Sequence, residues 1–227
     1  MLRAAPLIEG ETYHVFNRGA HKNDVFTNLD DFRRFQLGLF LANHSEPILM
    51  RDVLNRQKYR EPFSVYPVDK TLVDVLAYAL LPNHFHLVLR QKSEGGITRF
   101  MKKLVGGYSM YFNLKYQHSG TLFQGIFKSK HLDSEAYFKW IFAYVHLNPV
   151  SLVEPQWKEK RLSKPTETWH FLKQYPHSSF YDLYVAERPE RAIVAYEESL
   201  QYIDREFDMA GLLNEFAQGK SVFDSRD

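Results

Sequence analysis

The stretch from Leu72 to Arg90, LVDVLAYALLPNHFHLVLR, predicts a β-hairpin. Two apolar runs flank the Pro82-Asn83 turn, and each run has the length of a strand. Because side chains alternate between the two faces of a strand, His84 and His86 share one face. Two imidazoles about 6–7 Å apart on one face can share a divalent cation. Two surface histidines on an edge strand would give the same pattern.

The elements on either side of the hairpin follow from hydrophobic periodicity and capping residues. The resulting order is β-α-β-β-α-β-α. This order is typical of the α+β class, as a ferredoxin-like or RRM-like split βαβ antiparallel sheet with helices on one face. The predicted flanking elements are a strand at Glu11–Asn17, a helix from Asn28 to about Asn43, a helix at about Thr98–Gln117, an extended segment at Thr121–Leu132 and a helix from Ser134 to about Leu147.

The chain divides into two parts on this pattern. We expect residues 1–150 to form the catalytic domain. Within it, residues 45–69 are charged, hold three prolines and lack a clear period, so they are predicted to be a loop or insertion. Residues 151–227 are predicted to be a C-terminal extension that is helical, with segments at Tyr196–Phe207 and Met209–Phe216, and packed on the core.

Composition excludes several classes of protein. The chain has no cysteine, so disulfides and thiolate metal sites are absent. No apolar run approaches the length of a membrane span, and the N-terminus lacks the apolar stretch of a secretory signal. P-loop and G-x-S-x-G motifs are missing as well. We therefore expect a cytoplasmic protein that neither enters a membrane nor uses a nucleotide.

Positive charge is concentrated in the first two thirds of the chain. Residues 1–150 carry 19 Lys and Arg against 13 Asp and Glu, whereas residues 151–227 carry 10 against 14. The segment Gly95–Leu132 has no acidic residue, and aromatic residues alternate with its cations. Cations that neutralise phosphates and aromatics that stack on bases together favour nucleic-acid binding. An amphipathic helix with a solvated basic face fits equally well. The candidate cations are Arg99, Lys102, Lys103, Lys115, Lys128 and Lys130.

Tyr144 and Asn148 lie four residues apart near the end of the last predicted core helix, so they share a helix face. Tyr144 could serve as a nucleophile and Asn148 could offer an amide oxygen to a hard cation. Taken in isolation, the pair is better explained by core packing of the tyrosine and by a C-cap before Pro149.

Several segments together resemble one family. AYALLPNHFHLVLR (residues 77–90) resembles the His-hydrophobic-His segment of the IS200-like Y1, or HUH, transposases. GGYSMYFNLKYQHSGTLFQGIFKSKHL (residues 106–132) and AYVHLNPV (residues 143–150) are similar to the branch of REP-associated tyrosine transposases. YHVFNRGAHKNDVF (residues 13–26) and HSSFYDLY (residues 177–184) resemble the first strand and the C-terminal extension of that branch.

This resemblance implies an activity and a set of residues. His84 and His86 fall on the metal-binding pair, Asn148 falls on a third ligand and Tyr144 falls on the catalytic tyrosine, with Tyr137 as the rival nucleophile. The implied cofactor is Mg²⁺ or Mn²⁺. The implied reaction cleaves and rejoins single-stranded DNA at hairpin-forming REP elements through a 5′-phosphotyrosine, as in DNA transposition and recombination. The basic segment would hold the hairpin.

Two other functions fit part of the sequence. A non-catalytic RRM-like nucleic-acid-binding protein would explain the basic and aromatic segment but not His84, His86 and Tyr144. A metal-dependent phosphodiesterase that uses water would keep the histidines and give Tyr144 no covalent role. The oligomeric state stays open, with a monomer favoured over a homodimer because the C-terminal extension could cover the surface that a partner would use.

Overall fold

A computed structural model describes residues 6–55, 63, 70–157 and 162–201 of the chain. The strands are β1 (Thr12–Arg18), β2 (Val73–Leu81), β3 (His84–Gln91) and β4 (Lys128–His131). The helices are α1 (Leu29–Ala42), α2 (Met50–Asn55), α3 (Gly96–Tyr116), α4 (Glu135–Leu147), α5 (Pro165–Gln174), α6 (Phe180–Tyr184) and α7 (Tyr196–Leu200), with 3₁₀ turns at Ala20–Lys22, Asn148–Leu152 and Pro189–Ile193.

The four strands form one antiparallel sheet in the order β2-β3-β1-β4. In this order β1 and β2 are parallel to each other and are separated by β3, which is the split βαβ arrangement. The predicted α+β class and the predicted split βαβ antiparallel sheet are therefore confirmed. The hairpin at Pro82-Asn83 pairs Leu81 with His84, and one irregularity between Val75 and Ala77 shifts the register of β2.

One face of the sheet, here called the closed face, carries the main apolar core. Tyr13 and Val15 of β1 and Phe85, Leu87 and Leu89 of β3 pack there against α1 and α3. The side chain of Asn28 caps α1 by accepting hydrogen bonds from the backbone of Asp30 and Asp31, as its position before the apolar run predicted.

The opposite face, here called the site face, is covered by α4 over β2 and β3. Phe138, Ile141 and Val145 of α4 pack against residues that include Ala79 and Val88. The helices were predicted on one face, and α4 instead lies on the other. The reason is visible in β2, where every residue is buried and all but Asp74 are apolar, as in a strand that is covered on both faces.

The C-terminal segment, which comprises the described residues 151–157 and 162–201, packs against α4 and along the outer edge of β2. Trp157, Leu172 and Phe180 pack against the side of α4 that carries Ala143 and Leu147. Two backbone hydrogen bonds pair the segment with β2: Leu80 donates to the His177 carbonyl at 2.9 Å, and Ser179 donates to the Tyr78 carbonyl at 2.9 Å. The free edge of β2 is thereby covered.

Several predicted boundaries change. Met50–Asn55 forms a helix inside the segment predicted as a loop or insertion. Only Lys128–His131 of the predicted extended segment is a strand, because Gly125 adopts a φ of +101° that breaks the strand before it. Residues 56–62, 64–69 and 202–227 lie outside the described residues, as do most of the helical predictions beyond Leu200. None of the helices in the described part combines the length and hydrophobicity needed to span a bilayer.

Candidate active site

Three histidines meet on the site face of the sheet. His84 and His86 project from β3, and His14 projects from the neighbouring strand β1. The ring centroids of His84 and His86 are 5.1 Å apart, as are those of His14 and His86. Strand alternation creates this cluster, because antiparallel pairing sets Phe16 opposite His86 and leaves His14 two residues away on the same face.

Hydrogen bonds fix the orientation of two of these rings. Nδ1 of His84 lies 2.6 Å from Oδ1 of Asn83, whose amide nitrogen donates to the Lys22 carbonyl and so fixes which atom faces the imidazole. Nδ1 of His86 lies 2.8 Å from Nε2 of His14. Both bonds use Nδ1, so Nε2 of each ring is the atom that would face a metal.

Tyr144 reaches this cluster from α4. Its ring centroid lies 5.4 Å from that of His86 and 6.0 Å from that of His14, with the rings nearly perpendicular. Trp140, one turn earlier, stacks on the tyrosine at 5.7 Å and holds the ring in place. Although only 6% of Tyr144 is exposed, the residue lines the same cavity as the histidines.

Asn148 completes the cluster at the end of α4, where its backbone serves as the C-cap. Its Oδ1 lies 3.3 Å from Nε2 of His84. When His84 donates Nδ1–H to Asn83, both of these atoms present lone pairs to each other, and the buried amide nitrogen of Asn148 has no hydrogen-bond partner among the described residues. A cation between the two atoms would satisfy both. Ligands about 2.1 Å from one ion and at right angles stand roughly 3 Å apart, so this pair fits a divalent metal.

These side chains line a cavity of about 460 Å³ between the sheet and the C-terminal end of α4. Its other walls include Phe16, Arg18, Gln124, Ile126 and Lys128. A larger cavity, of about 660 Å³, lies between the end of α1 and residues 187–198 and contains none of the predicted site residues.

The described residues contain no group of three or more His, Asp or Glu side chains that could hold a metal by themselves. A metal bound to His84, His86 and Asn148 would therefore need further ligands. Substrate oxygens and water can supply them, since Mg²⁺ and Mn²⁺ prefer oxygen.

The six predicted DNA-binding cations divide between the two faces of the sheet. Lys128 and Lys130 pair with Phe16 and His14 across β4 and β1, so their side chains lie on the site face. Arg99, Lys102, Lys103 and Lys115 belong to α3, which packs on the closed face. The single basic surface suggested by the sequence is therefore two separate surfaces.

Three of the α3 cations already have protein partners. The guanidinium of Arg99 donates to the Ser93 hydroxyl at 2.9 Å. Nζ of Lys103 donates to the His44 carbonyl at 2.6 Å. Nζ of Lys115 lies 2.7 Å from the fully buried carboxylate of Asp31. Burial alone would raise the pKa of Asp31, but hydrogen bonds from Lys115, Thr27 and Tyr116 outweigh it and lower the pKa to about 2. The charge of Lys115 therefore stabilises the fold.

The structure also adds residues that the sequence did not single out. His14 supports His86, and Arg18 brings a cation to the cavity wall. The split βαβ order sets β1 beside β3, and alternation then assigns His14 and Arg18 to the face of His84. Both residues could therefore be assigned to that face only once the register between β1 and β3 was known.

Tyr137, the rival nucleophile, is placed differently. It stands seven residues before Tyr144, about 10 Å along the helix axis. Its ring stacks on Trp140 at a centroid distance of 6.0 Å, and it does not line the cavity.

Comparison with known proteins relates this site to one family. Residues 44–148, a little under half of the chain, match the family model described as Transposase IS200 like. No curated protein matches the chain. A solved structure of a REP-associated tyrosine transposase bound to a REP hairpin is similar at 14% identity, over 81% of this chain and 84% of that chain, with a TM-score of 0.46. The matched segment contains His84, His86, Tyr144 and Asn148, so the chain is similar to the IS200-like transposases in the part that forms this cavity.

Proposed function

We propose that this protein is a divalent-metal-dependent transposase that cleaves and rejoins single-stranded DNA at hairpin-forming repeats, with Tyr144 as the nucleophile. The observation that supports the proposal most strongly is that side chains from the sheet and from α4 meet in one cavity. One cavity is lined by His84 and His86 from the sheet and by Tyr144 and Asn148 from α4. The presence of a tyrosine against the imidazoles separates this function from simple nucleic-acid binding.

His84, His86 and Asn148 would hold Mg²⁺ or Mn²⁺, and His14 would orient His86 through their shared hydrogen bond. When bound, the ion would polarise a non-bridging phosphate oxygen and neutralise its charge. The protein's own contribution is to present the donors in fixed positions, since Asn83 and His14 hold the two strand histidines.

Tyr144 would attack the phosphorus of one phosphodiester. The bond between phosphorus and the tyrosine oxygen forms as the bond to the 3′ oxygen breaks, and the phenol loses its proton while the 3′ oxygen gains one. The products are a 5′-phosphotyrosine and a 3′-hydroxyl. The reverse attack by a 3′-hydroxyl restores a phosphodiester, so rejoining needs no nucleotide. Trp140 holds the tyrosine ring in reach of the histidines throughout.

The DNA would cross the open part of the site face. Arg18, Lys128 and Lys130 lie on this face, and they would contact phosphates near the cleaved bond. Arg99 and Lys102 on α3 are exposed on the other side of the sheet and would meet DNA only where a hairpin stem extends around the domain. The hairpin itself is proposed from the resemblance of residues 97–150 to the REP-associated branch.

We propose that one subunit contains the complete site. The C-terminal segment covers the edge of β2, and β4 at the other edge is four residues long and carries two lysines, which disfavours edge-to-edge pairing. Tyr144 lies against the histidines of its own chain. Mixing a Tyr144→Phe variant with a His84→Ala variant should therefore restore no activity, and recovery would indicate exchange of α4 between subunits.

The proposal is tested by trapping the covalent product. The protein is incubated with Mg²⁺ or Mn²⁺ and a labelled single-stranded hairpin oligonucleotide, then denatured. We expect an adduct that chelation of the metal abolishes and that Tyr144→Phe lowers by roughly 10⁴-fold or more. Tyr137→Phe is the matched control and should form adduct normally.

The two other functions give different results in the same assay. A mobility shift without cleavage would indicate a binding module. Cleavage without an adduct would indicate a phosphodiesterase that uses water. An adduct that persists in Tyr144→Phe and disappears in Tyr137→Phe would show that the nucleophile is misassigned.

A further inference from the structure

Phe16 departs from the polar character of its surroundings. The other residues of β1 that share its face are Thr12, His14 and Arg18, all polar. Phe16 is partly exposed and lines the cavity, whereas Tyr13 and Val15 fill the core on the closed face. An aromatic ring at this position adds little to that core, because it lies on the other side of the sheet.

The surroundings of Phe16 are those of a reaction site. Its ring centroid lies 4.9 Å from that of His14 and 5.7 Å from that of His86, with the planes tilted by about 30° in both cases. Nζ of Lys128 lies 6.0 Å from the same ring centroid. Arg18 follows two residues along the same strand face. The ring therefore lies beside His86, a proposed metal ligand, and close to two cations.

A second apolar surface faces the same cavity. Ile126 lines it with 65% of the residue exposed, next to Gln124. This loop is held in position: the Asn17 side chain donates to the Gly125 carbonyl at 3.1 Å, and the backbone of Gln124 donates to the Arg18 carbonyl at 2.8 Å. The exposure of Ile126 is thus built into the fold.

We propose that Phe16 is a stacking platform for the nucleobase next to the cleaved phosphate, with Ile126 as the opposite wall. This inference rests on the proposed function. A flat ring flanked by cations matches a nucleotide, whose base stacks while its phosphates meet Arg18 and Lys128. Stacking on a phenyl ring accepts every base, so the subsite orders the strand and contributes little to the choice of sequence.

The inference predicts a coupling between protein and DNA. Adduct formation is measured for the wild-type protein and for Phe16→Ala, with hairpin oligonucleotides that carry a single abasic site at each nucleotide flanking the cleaved bond. In the wild-type protein, removal of the stacked base should slow adduct formation by about tenfold. In Phe16→Ala, removal of the same base should have almost no further effect, because the partner of that base is already missing.

Two further variants separate stacking from folding. Phe16→Trp keeps a flat ring and should retain the sensitivity to the abasic site, whereas Phe16→Leu keeps apolar volume and should lose it. Phe171→Ala, which removes a half-buried ring of α5 away from the cavity, is the control and should leave the sensitivity intact. Thermal unfolding of each variant verifies the fold.

The outcomes also separate this inference from the proposed function. If the wild-type protein forms an adduct and the abasic effect is equally large in Phe16→Ala at both flanking positions, the platform is refuted and Tyr144 is unaffected. Coupling at either of the two positions supports the platform and identifies the stacked nucleotide. If the wild-type protein forms no adduct with any oligonucleotide, the proposed function itself fails.

Discussion

The two faces of the sheet differ in how completely the helices cover them. On the closed face, α1 and α3 cover an apolar surface in which Phe85, Leu87 and Leu89 are fully buried. On the site face, α4 covers β2 and β3 and leaves β4 and the Phe16–Arg18 end of β1 partly or fully exposed, and the histidines lie where that cover ends. Chemistry is thus possible at the boundary, where side chains are held by packing on one side and accessible to a ligand on the other.

Two neighbouring residues of β3 should show the largest difference between the two faces. His84→Ala should lower adduct formation by about 10³-fold or more, since it removes a metal ligand, and should leave the unfolding free energy nearly unchanged. Phe85→Ala should instead destabilise the fold by about 3–5 kcal/mol, because it empties a fully buried site. Urea unfolding and the adduct assay measure both quantities for each variant. A large stability loss in His84→Ala would contradict the division of roles.

Asp31 tests electrostatics on the covered side. Its pKa is lowered from 3.8 to about 2 in the folded protein, so its contribution of about 2 kcal/mol is present above pH 4 and is lost as the pH falls towards 2. The stability advantage of the wild-type protein over Asp31→Asn should follow that window. Asp30→Asn, exposed on the same helical turn, is the control. A difference that does not change with pH would refute the ion pair with Lys115 as its cause.

His14 tests support on the site face. Its loss leaves Nδ1 of His86 without this hydrogen-bond partner, and such supporting partners typically change metal affinity by about 10–100-fold. We expect His14→Ala to need correspondingly more Mn²⁺ for half-maximal adduct formation. His131→Ala, an exposed histidine paired with Glu11, should leave the metal requirement unchanged. Equal Mn²⁺ curves for wild type and His14→Ala would exclude the supporting role.

The smallest expected effect is a change in DNA affinity and its salt dependence, which should differ between the cations of the site face and those of α3. Lys128→Met, on the site face, should weaken binding of single-stranded DNA and reduce the slope of log K against log salt by about one contact's share, roughly 0.7. Lys102→Met, on α3, should change that slope less. Fluorescence anisotropy over a range of salt concentrations measures both. A larger change for Lys102 would mean that DNA follows the α3 side.

Short-range patterns predicted much of this architecture. The β2-β3 hairpin, the caps at Asn28 and Ser134 and the shared face of His84 and His86 all follow from residues close together in the chain. The position of α4 did not follow. All helices were expected on one face of the sheet, although both faces of β2 are apolar apart from Asp74. The role of Lys115 could not follow either, since its partner Asp31 is 84 residues away and hydrophobic periodicity carries no information about that pairing.

Only the part of the candidate site that lies on one local element could be predicted from short-range patterns. The two strand histidines lie on one local element, but their meeting with Tyr144 and Asn148 depends on how α4 crosses the sheet. The resemblance to a family, and not the spacing of those residues, selected Tyr144 from 14 tyrosines. Arg18 and Phe16 carry no motif and become visible only when the neighbouring strands are paired.

Peptide mapping of the trapped adduct identifies the nucleophilic tyrosine directly. The wild-type protein is reacted with the hairpin oligonucleotide, the DNA is trimmed by nuclease, and the phosphorylated tyrosine is located by mass spectrometry. We predict a phosphonucleotide on Tyr144, within the peptide that follows Lys139. A modification on Tyr137, or on any tyrosine away from the histidine cavity, would show that Tyr144 is not the nucleophile.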